Sequence, residues 1–289
     1  QLLCLRGIAD SESADREVAD LLWFPSGGGK TEAYLGLIAF TIFLRRLRNG
    51  PKGAGVTAIM RYTLRLLTIQ QFQRAALLIC ACEEVRRSEP DLGSEEIALG
   101  LWVGQDGSPH TRSDANKVLG KLKAGEDVES GSPIQLHACP WCGTELRPKN
   151  YWLARNDPHL VIDCRNDGCA FGARGHPVYV VDEDIYDRRP SLLVSTVDKF
   201  ASLPWRERFG DIFNLDRDLL PPELIIQDEL HLISGPLGTL MGLYETAIDQ
   251  LCSEAGRKPK VVASTATIRR AKTLAGTAVS WRQEQARRR

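Results

Sequence analysis

Three short stretches carry residues suited to nucleotide chemistry, and four cysteines have a spacing suited to a metal. In Pro25-Ser-Gly-Gly-Gly-Lys-Thr31 the glycines Gly27, Gly28 and Gly29, with Ser26, let backbone N–H groups approach phosphate oxygens. Lys30 would reach the β/γ oxygens of ATP, and Thr31 would ligate Mg²⁺. Phe24 stands where the full Walker pattern has its first glycine. In Ile225-Ile-Gln-Asp-Glu-Leu-His231 two carboxylates follow an apolar strand, where ligands of open parallel sheets bind. Asp228 would hold Mg²⁺ through water, and Glu229 would orient and deprotonate an attacking water with His231 beside it. The bland reading, an acidic pair capping a helix, gives way once the Gly-Lys-Thr loop lies upstream. Ser264-Thr-Ala-Thr267 supplies three hydroxyls, on Ser264, Thr265 and Thr267, at the end of a third strand.

Cys139-Pro-Trp-Cys142 and Cys164-Arg-Asn-Asp-Gly-Cys169 form two knuckles with turn glycines at Gly143 and Gly168. Cys139, Cys142, Cys164 and Cys169 suit a closed, structural Zn²⁺ site, with His137, His159 or His176 as substitutes for a missing thiolate. Cys4, Cys80, Cys82 and Cys252 lie in apolar or helical surroundings and read as buried thiols.

The elements that must position these groups alternate. Ala19–Phe24 reads as a strand entering the glycine loop, Thr31–Arg48 as a helix, Val56–Arg61 as a strand and Leu64–Arg87 as a long helix with Leu66, Leu67, Ile69, Phe72, Leu77 and Leu78 on its apolar face. A strand at Ile97–Val103 and a helix at Asp114–Lys123 follow. The region Gly125–Pro190 is rich in Gly, Pro, Asp and Cys and reads as an insertion, after which strands resume at Leu192–Thr196, Leu224–Gln227 and Val261–Ser264, with a helix over Leu237–Leu251. The fold class is α/β with a mostly parallel sheet. The division is 1–124 and 191–280 for the nucleotide-binding core, 125–190 for a zinc-ribbon-like module, and 281–289 for a basic, truncated tail.

Across 289 residues, 37 Lys and Arg balance 37 Asp and Glu, which excludes a globally basic nucleic-acid binder and confines phosphate contacts to local patches. The longest apolar run, Leu35–Leu44, is closed by Arg45 and is too short to span a bilayer. Eight cysteines without a secretory signal point to a reducing, cytoplasmic compartment. The missing initiator Met suggests a fragment or processed piece.

With these motifs in order, the chain resembles the first RecA-like domain of the superfamily-2 helicases, which share the departure at Phe24. More narrowly, Phe24–Leu37, Ser195-Thr-Val-Asp-Lys-Phe200, Gln227–Gly238 and Ser264–Ile268 resemble the large helicase of the DISARM antiphage systems. The resemblance implies an ATP-driven helicase or translocase acting on DNA in phage defence, with other defence proteins as partners. By the same resemblance, the segment Arg61–Gln70, including Arg65, would grip a strand backbone, with Thr196 and Lys199 as further contacts. It also implies that Ser264, Thr265 and Thr267 relay nucleotide state to the strand path. A second RecA-like domain with its arginine finger has no counterpart after Ile268. Two alternatives stay open: a DNA-repair helicase of the Mrf or Hrq type, and a non-hydrolysing, nucleotide-gated DNA-binding module.

Overall fold

The computed structural model describes residues 2–23, 29–205, 207–215, 218–233, 235–253 and 258–265. Ser26, Gly27, Gly28 and Thr267, to which the sequence assigns nucleotide or coupling roles, lie outside the described residues, as does the tail 281–289.

The order is α1 (Leu2–Ala9), β1 (Asp20–Trp23), α2 (Lys30–Asn49), β2 (Ala58–Tyr62), α3 (Arg65–Ser88), β3 (Leu99–Trp102) and α4 (Arg112–Lys123). Then come β4 (Tyr151–Leu153), β5 (Leu160–Ile162), β6 (Val178–Tyr179), α5 (Asp182–Arg188), β7 (Leu192–Thr196), β8 (Leu224–Gln227), α6 (Gly235–Ser253) and β9 (Lys260–Thr265). Seven strands form one sheet in the order β1-β9-β8-β2-β7-β3-β6, every pair parallel, while β4 and β5 make a separate antiparallel pair. The expected α/β class, a mostly parallel sheet with helices between its strands, is what the chain adopts.

The sheet is apolar on both faces, so each strand is a nearly continuous hydrophobic run with period-two sorting beneath it. Ala58, Met60 and Tyr62 face one core with Val194 and Ile226, and Ile59, Leu193 and Ile225 face the other. Helix α2 lays Tyr34, Leu37, Ile38, Thr41 and Ile42 on the first core at helical spacing. It stops at Gly50, whose positive φ of 53° and cap bond to the Arg46 carbonyl end the helix before Pro51.

Three expectations are corrected. The main sheet resumes at β6, which pairs with β3, so the inserted stretch ends before Val178 rather than at Pro190. The acidic run Asp182-Glu-Asp184 looks like loop composition but forms the first turn of α5, where carboxylates suit the helix dipole. Leu77, expected on the buried face of α3, is 52% exposed; Phe72, Ala75, Ala76, Ile79 and Cys80 fill that face instead. Leu136, Leu146, Tyr151, Leu160 and Ile162 of the inserted stretch join the same core as Leu99 and Leu101, so the insertion rests on the main domain's packing. Among the described residues no helix is long and apolar enough to cross a membrane.

Arg45 is a fully buried staple between chain segments. Its guanidinium donates to the carbonyls of Gly53 (3.1 Å), Ala54 (3.0 Å), Pro221 (2.7 Å) and Leu220 (2.6 Å). This ties the turn before β2 to the turn before β8 and so places the two strands side by side. Burial lowers its pKa to about 10, which leaves the group charged at neutral pH. Arg45→Met removes the donor from the carbonyls of Gly53, Ala54 and Pro221, while Leu220 keeps the Asn214 amide, so urea denaturation should show a loss of about 3 kcal/mol.

Candidate nucleotide site and metal centre

Strand β8 runs Leu224 to Gln227 between β2 and β9, and the chain leaves it at Asp228. The Asp228 amide still donates to the Arg61 carbonyl of β2 at 3.1 Å, so Asp228 is the last residue held by the sheet. Its carboxylate is nearly buried; Oδ1 accepts the Glu229 amide at 2.9 Å and a short hydrogen bond from the Ser264 hydroxyl. Register makes this possible: Gln227 is opposite Ala263, so the next residues along, Asp228 and Ser264, meet at the C-terminal end of the sheet.

Glu229 follows in left-handed backbone, φ 48° and ψ 46°, at the start of a single 3₁₀ turn, Leu230–Leu232. A non-glycine residue held there carries a local conformational cost and turns the chain sharply off the strand. The turn brings His231 Nδ1 within 3.2 Å of both Glu229 Oε2 and Thr265 Oγ1. Ser264 and Thr265 thus contact Asp228 and His231 respectively, and the two motifs form one hydrogen-bonded unit.

Lys30 opens α2, immediately after Gly29 in left-handed conformation (φ 74°). Its Nζ is buried and has no hydrogen-bond partner among the described residues. A buried ammonium without a partner calls for an anion, and the first turn of a helix supplies unsatisfied N–H groups beside it. Thr31 is half-buried on the same turn. Tyr34, one turn along α2, and Tyr62 at the end of β2 floor the site and are both buried. Burial pushes the Tyr34 phenol up, Ser264 partly opposes the shift, and the Asp228 and Glu229 charges add to it. Burial, again with Asp228 adding, does the same to Tyr62. These groups fit a phosphate and its cation. Nothing in the sequence pattern singles out Tyr34, Tyr62 or Gln227, whose amide donates to the carbonyls of Arg61 (3.3 Å) and Asp228 (2.9 Å); their signal is only their place beside the motifs.

The residues expected to grip a strand are placed differently. Arg61 is 2% exposed; its Nη1 lies 2.6 Å from Glu245 Oε1 of α6, and its guanidinium sits over Phe200, 5.6 Å from the ring centre. Lys199 is 4% exposed and donates to the Val103 carbonyl (2.6 Å) and to Asp182 Oδ2 (2.8 Å). Both cations serve internal contacts, which corrects the expectation that they form a surface patch. The sequence could not distinguish a snorkelled surface cation from one folded over an aromatic ring. Thr196 ends β7 opposite Tyr62, with its hydroxyl buried and unpartnered among the described residues. Arg65 is the first residue of α3.

The four knuckle cysteines converge, with all four Sγ atoms within 4.8 Å of one another. Cys139 and Cys169 sulfurs are 3.7 Å apart, and Cys142 and Cys164 are 3.5 Å apart. A Zn–S bond of about 2.3 Å gives tetrahedral edges of about 3.8 Å, whereas a disulfide is about 2.05 Å, so the spacing fits a metal and not a crosslink. Burial raises the thiols of Cys139 and Cys169. Slight burial also opposes ionisation of Cys142, but hydrogen bonds from Thr144 and the neighbouring thiols bring it down to about 6. Four thiolates at this spacing need a cation to neutralise them. His176 stands at the rim, Nε2 3.1 Å from Cys139 Sγ and Nδ1 2.8 Å from the Ile162 carbonyl. The other four cysteines are buried, and burial raises Cys4 to about 11 and Cys80 and Cys82 to about 12.

No family model matches the chain. Over an alignment 319 positions long, it is 40% identical to the DISARM protein DrmA of Bacillus paralicheniformis (strain ATCC 9945a / NCIMB 11709 / CD-2). That match covers 93% of this chain and 28% of the relative, so the chain spans little more than a quarter of its length. Among solved structures, the Mycobacterium smegmatis helicase Lhr bound to ssDNA and AMP-PNP aligns with 93% of this chain and 24% of its own, at 16% identity and a TM-score of 0.49. The DUF1998 helicase MrfA aligns with 89% of this chain and 32% of its own, at 14% identity and a TM-score of 0.32.

Metal analysis of purified protein should find one equivalent of zinc, and the paired change Cys139→Ser and Cys142→Ser should remove it. Zinc-free protein with unchanged proteolytic resistance between 137 and 176 would defeat the assignment.

Proposed function

Starting from a chain related to the DISARM protein DrmA over nearly its whole length, we propose that it is the ATP-binding half of a DNA helicase or translocase working in antiphage defence. The observation that carries the reading is the joining of Asp228 to Ser264 at the C-terminal ends of β8 and β9, with the Lys30 ammonium buried and without a hydrogen-bond partner among the described residues. Lys30 neutralises the β/γ phosphates of ATP, and the N–H groups at the start of α2 bind phosphate oxygens. Thr31 and Asp228 hold Mg²⁺, which supplies charge neutralisation on the phosphates. Glu229 orients the attacking water and takes its proton. His231 bonds Glu229 and Thr265 together, so a change at the carboxylate is felt on β9.

In this reading, a second RecA-like domain closes the site during turnover, other defence-system proteins are partners, and the compartment is the cytoplasm. The zinc is structural, because four protein sulfurs leave no open coordination position.

Lys30→Ala should weaken binding of a fluorescent ATP analogue by about a hundredfold. Glu229→Gln should keep that affinity and abolish DNA-stimulated phosphate release. Equal nucleotide affinity in Lys30→Ala and the parent chain would sink the assignment.

A further inference from the structure

The metal module turns two indoles outward: Trp141 is 42% exposed and Trp152 is 40% exposed. Large exposed aromatics in a net-neutral chain ask for a reason. Trp152 is the middle residue of β4, so Tyr151 and Leu153 point to the opposite face, Tyr151 into the core. The ring is held rather than loose. Its Nε1 donates to Asp163 Oδ2 at 3.0 Å, the Asp163 amide donates to the Asn150 carbonyl at 2.9 Å, and Asn150 Nδ2 donates back to the Asp163 carbonyl at 3.0 Å.

Cations border this platform. Arg165 Nη2 donates to the Lys149 carbonyl at 2.7 Å while its Nε lies 3.8 Å from Asp163 Oδ1. The Arg147 amide donates to Asn150 Oδ1 at 3.0 Å, which keeps Arg147 on the same turn. Arg147 and Arg165 side chains are 63% and 55% exposed, and Lys149 is exposed too. Asp163 is committed to the indole and to Arg165, and Arg147 pairs with Glu145 at 2.8 Å, which leaves Lys149 and Arg165 as the cations of the platform.

A fixed indole face with basic side chains at its border has the chemistry of a single-stranded nucleic-acid contact: a base stacks on the ring while adjacent phosphates meet the cations. A protein ligand would call for an apolar surround, and here the indole is bonded to Asp163, which Arg165 links to the backbone of Lys149. Arg61 and Lys199 are turned inward and do not compete with this face as exposed cations. We propose that the outer face of β4–β5, centred on Trp152 with Lys149 and Arg165, is a contact site for single-stranded nucleic acid. This rests on the nucleic-acid reading above and adds to it a site remote in sequence from the helicase-like motifs.

Fluorescence anisotropy of the zinc-loaded chain with a labelled oligothymidylate tests it. Trp152→Ala should weaken binding about tenfold, and Trp152→Phe should restore most of the affinity. The double change Lys149→Gln and Arg165→Gln should flatten the salt dependence by about 1.4 log units per log unit of salt. Zinc content and ATP-analogue affinity should be unchanged in all three; if Trp152→Ala loses zinc, the Phe and double variants decide. A parent chain that binds the strand, with Trp152→Ala and the double variant binding equally well, overturns this site and leaves the helicase reading standing. A parent chain that binds nucleotide but no strand overturns both. Loss of self-association in Trp152→Ala at constant strand affinity also overturns the site, giving the face to a protein partner.

Discussion

Two hydrogen bonds to one oxygen of Asp228 set what the rest of the site can be. They exist because β2, β8 and β9 end level, with the Asp228 amide on β2 and its carboxylate under the Ser264 hydroxyl of β9. In a parallel sheet buried on both faces, register is fixed by which side chains enter which core. Sliding β9 by one residue would drive Val262 and Ser264 to the wrong face and leave a nearly buried carboxylate without its donor. The apolar sorting of Ile225, Ile226 and Val262 is therefore also what aims the hydroxyl.

The metal module is attached by a different logic. Its knuckles meet the C-terminal half of α3, where Arg87 lies over Phe171, 5.7 Å from the ring centre. Phe171 in turn stacks on His176 and meets Trp141 edge-on. The four converging sulfurs bring the two knuckles together at a spacing that would hold a metal, while the aromatic layer and the shared core hold them to the domain. One long helix thus joins the strand-side end of the core, at Arg65, to the metal centre.

The sequence made the frame legible because its signals were local. Strands β2, β7 and β8 are short apolar runs bounded by breakers, and α2 and α3 announce themselves by period and by Gly50 or Pro90. The Gly-Lys-Thr and Asp-Glu-Leu-His residues were readable for the same reason. The two-residue β6 was hidden, since nothing local marks a strand so short, and the direction of long side chains was hidden as well. Whether Arg61 faces solvent or Glu245 is decided by α6, 184 residues further on by the numbering of that ion pair, and no periodicity carries that. The knuckle spacing pointed to the four cysteines that converge, but only the fold shows Leu146, Tyr151 and Ile162 merging with the main core.

The pairing of β1 with β9 bears on how the chain is made. Leu22 lies beside Ser264 and Trp23 beside Thr265, so the strand that leads into the nucleotide loop has as its neighbour one of the last described elements. At ribosomal speeds of about 5–20 residues per second, β1 waits roughly 12–50 s for its partner. Meanwhile the knuckles at 139–169 emerge and can close. During synthesis the four knuckle cysteines thus emerge well before the sheet is whole, and β1 stays apart from β8 until β9, one of the last described strands, inserts between them.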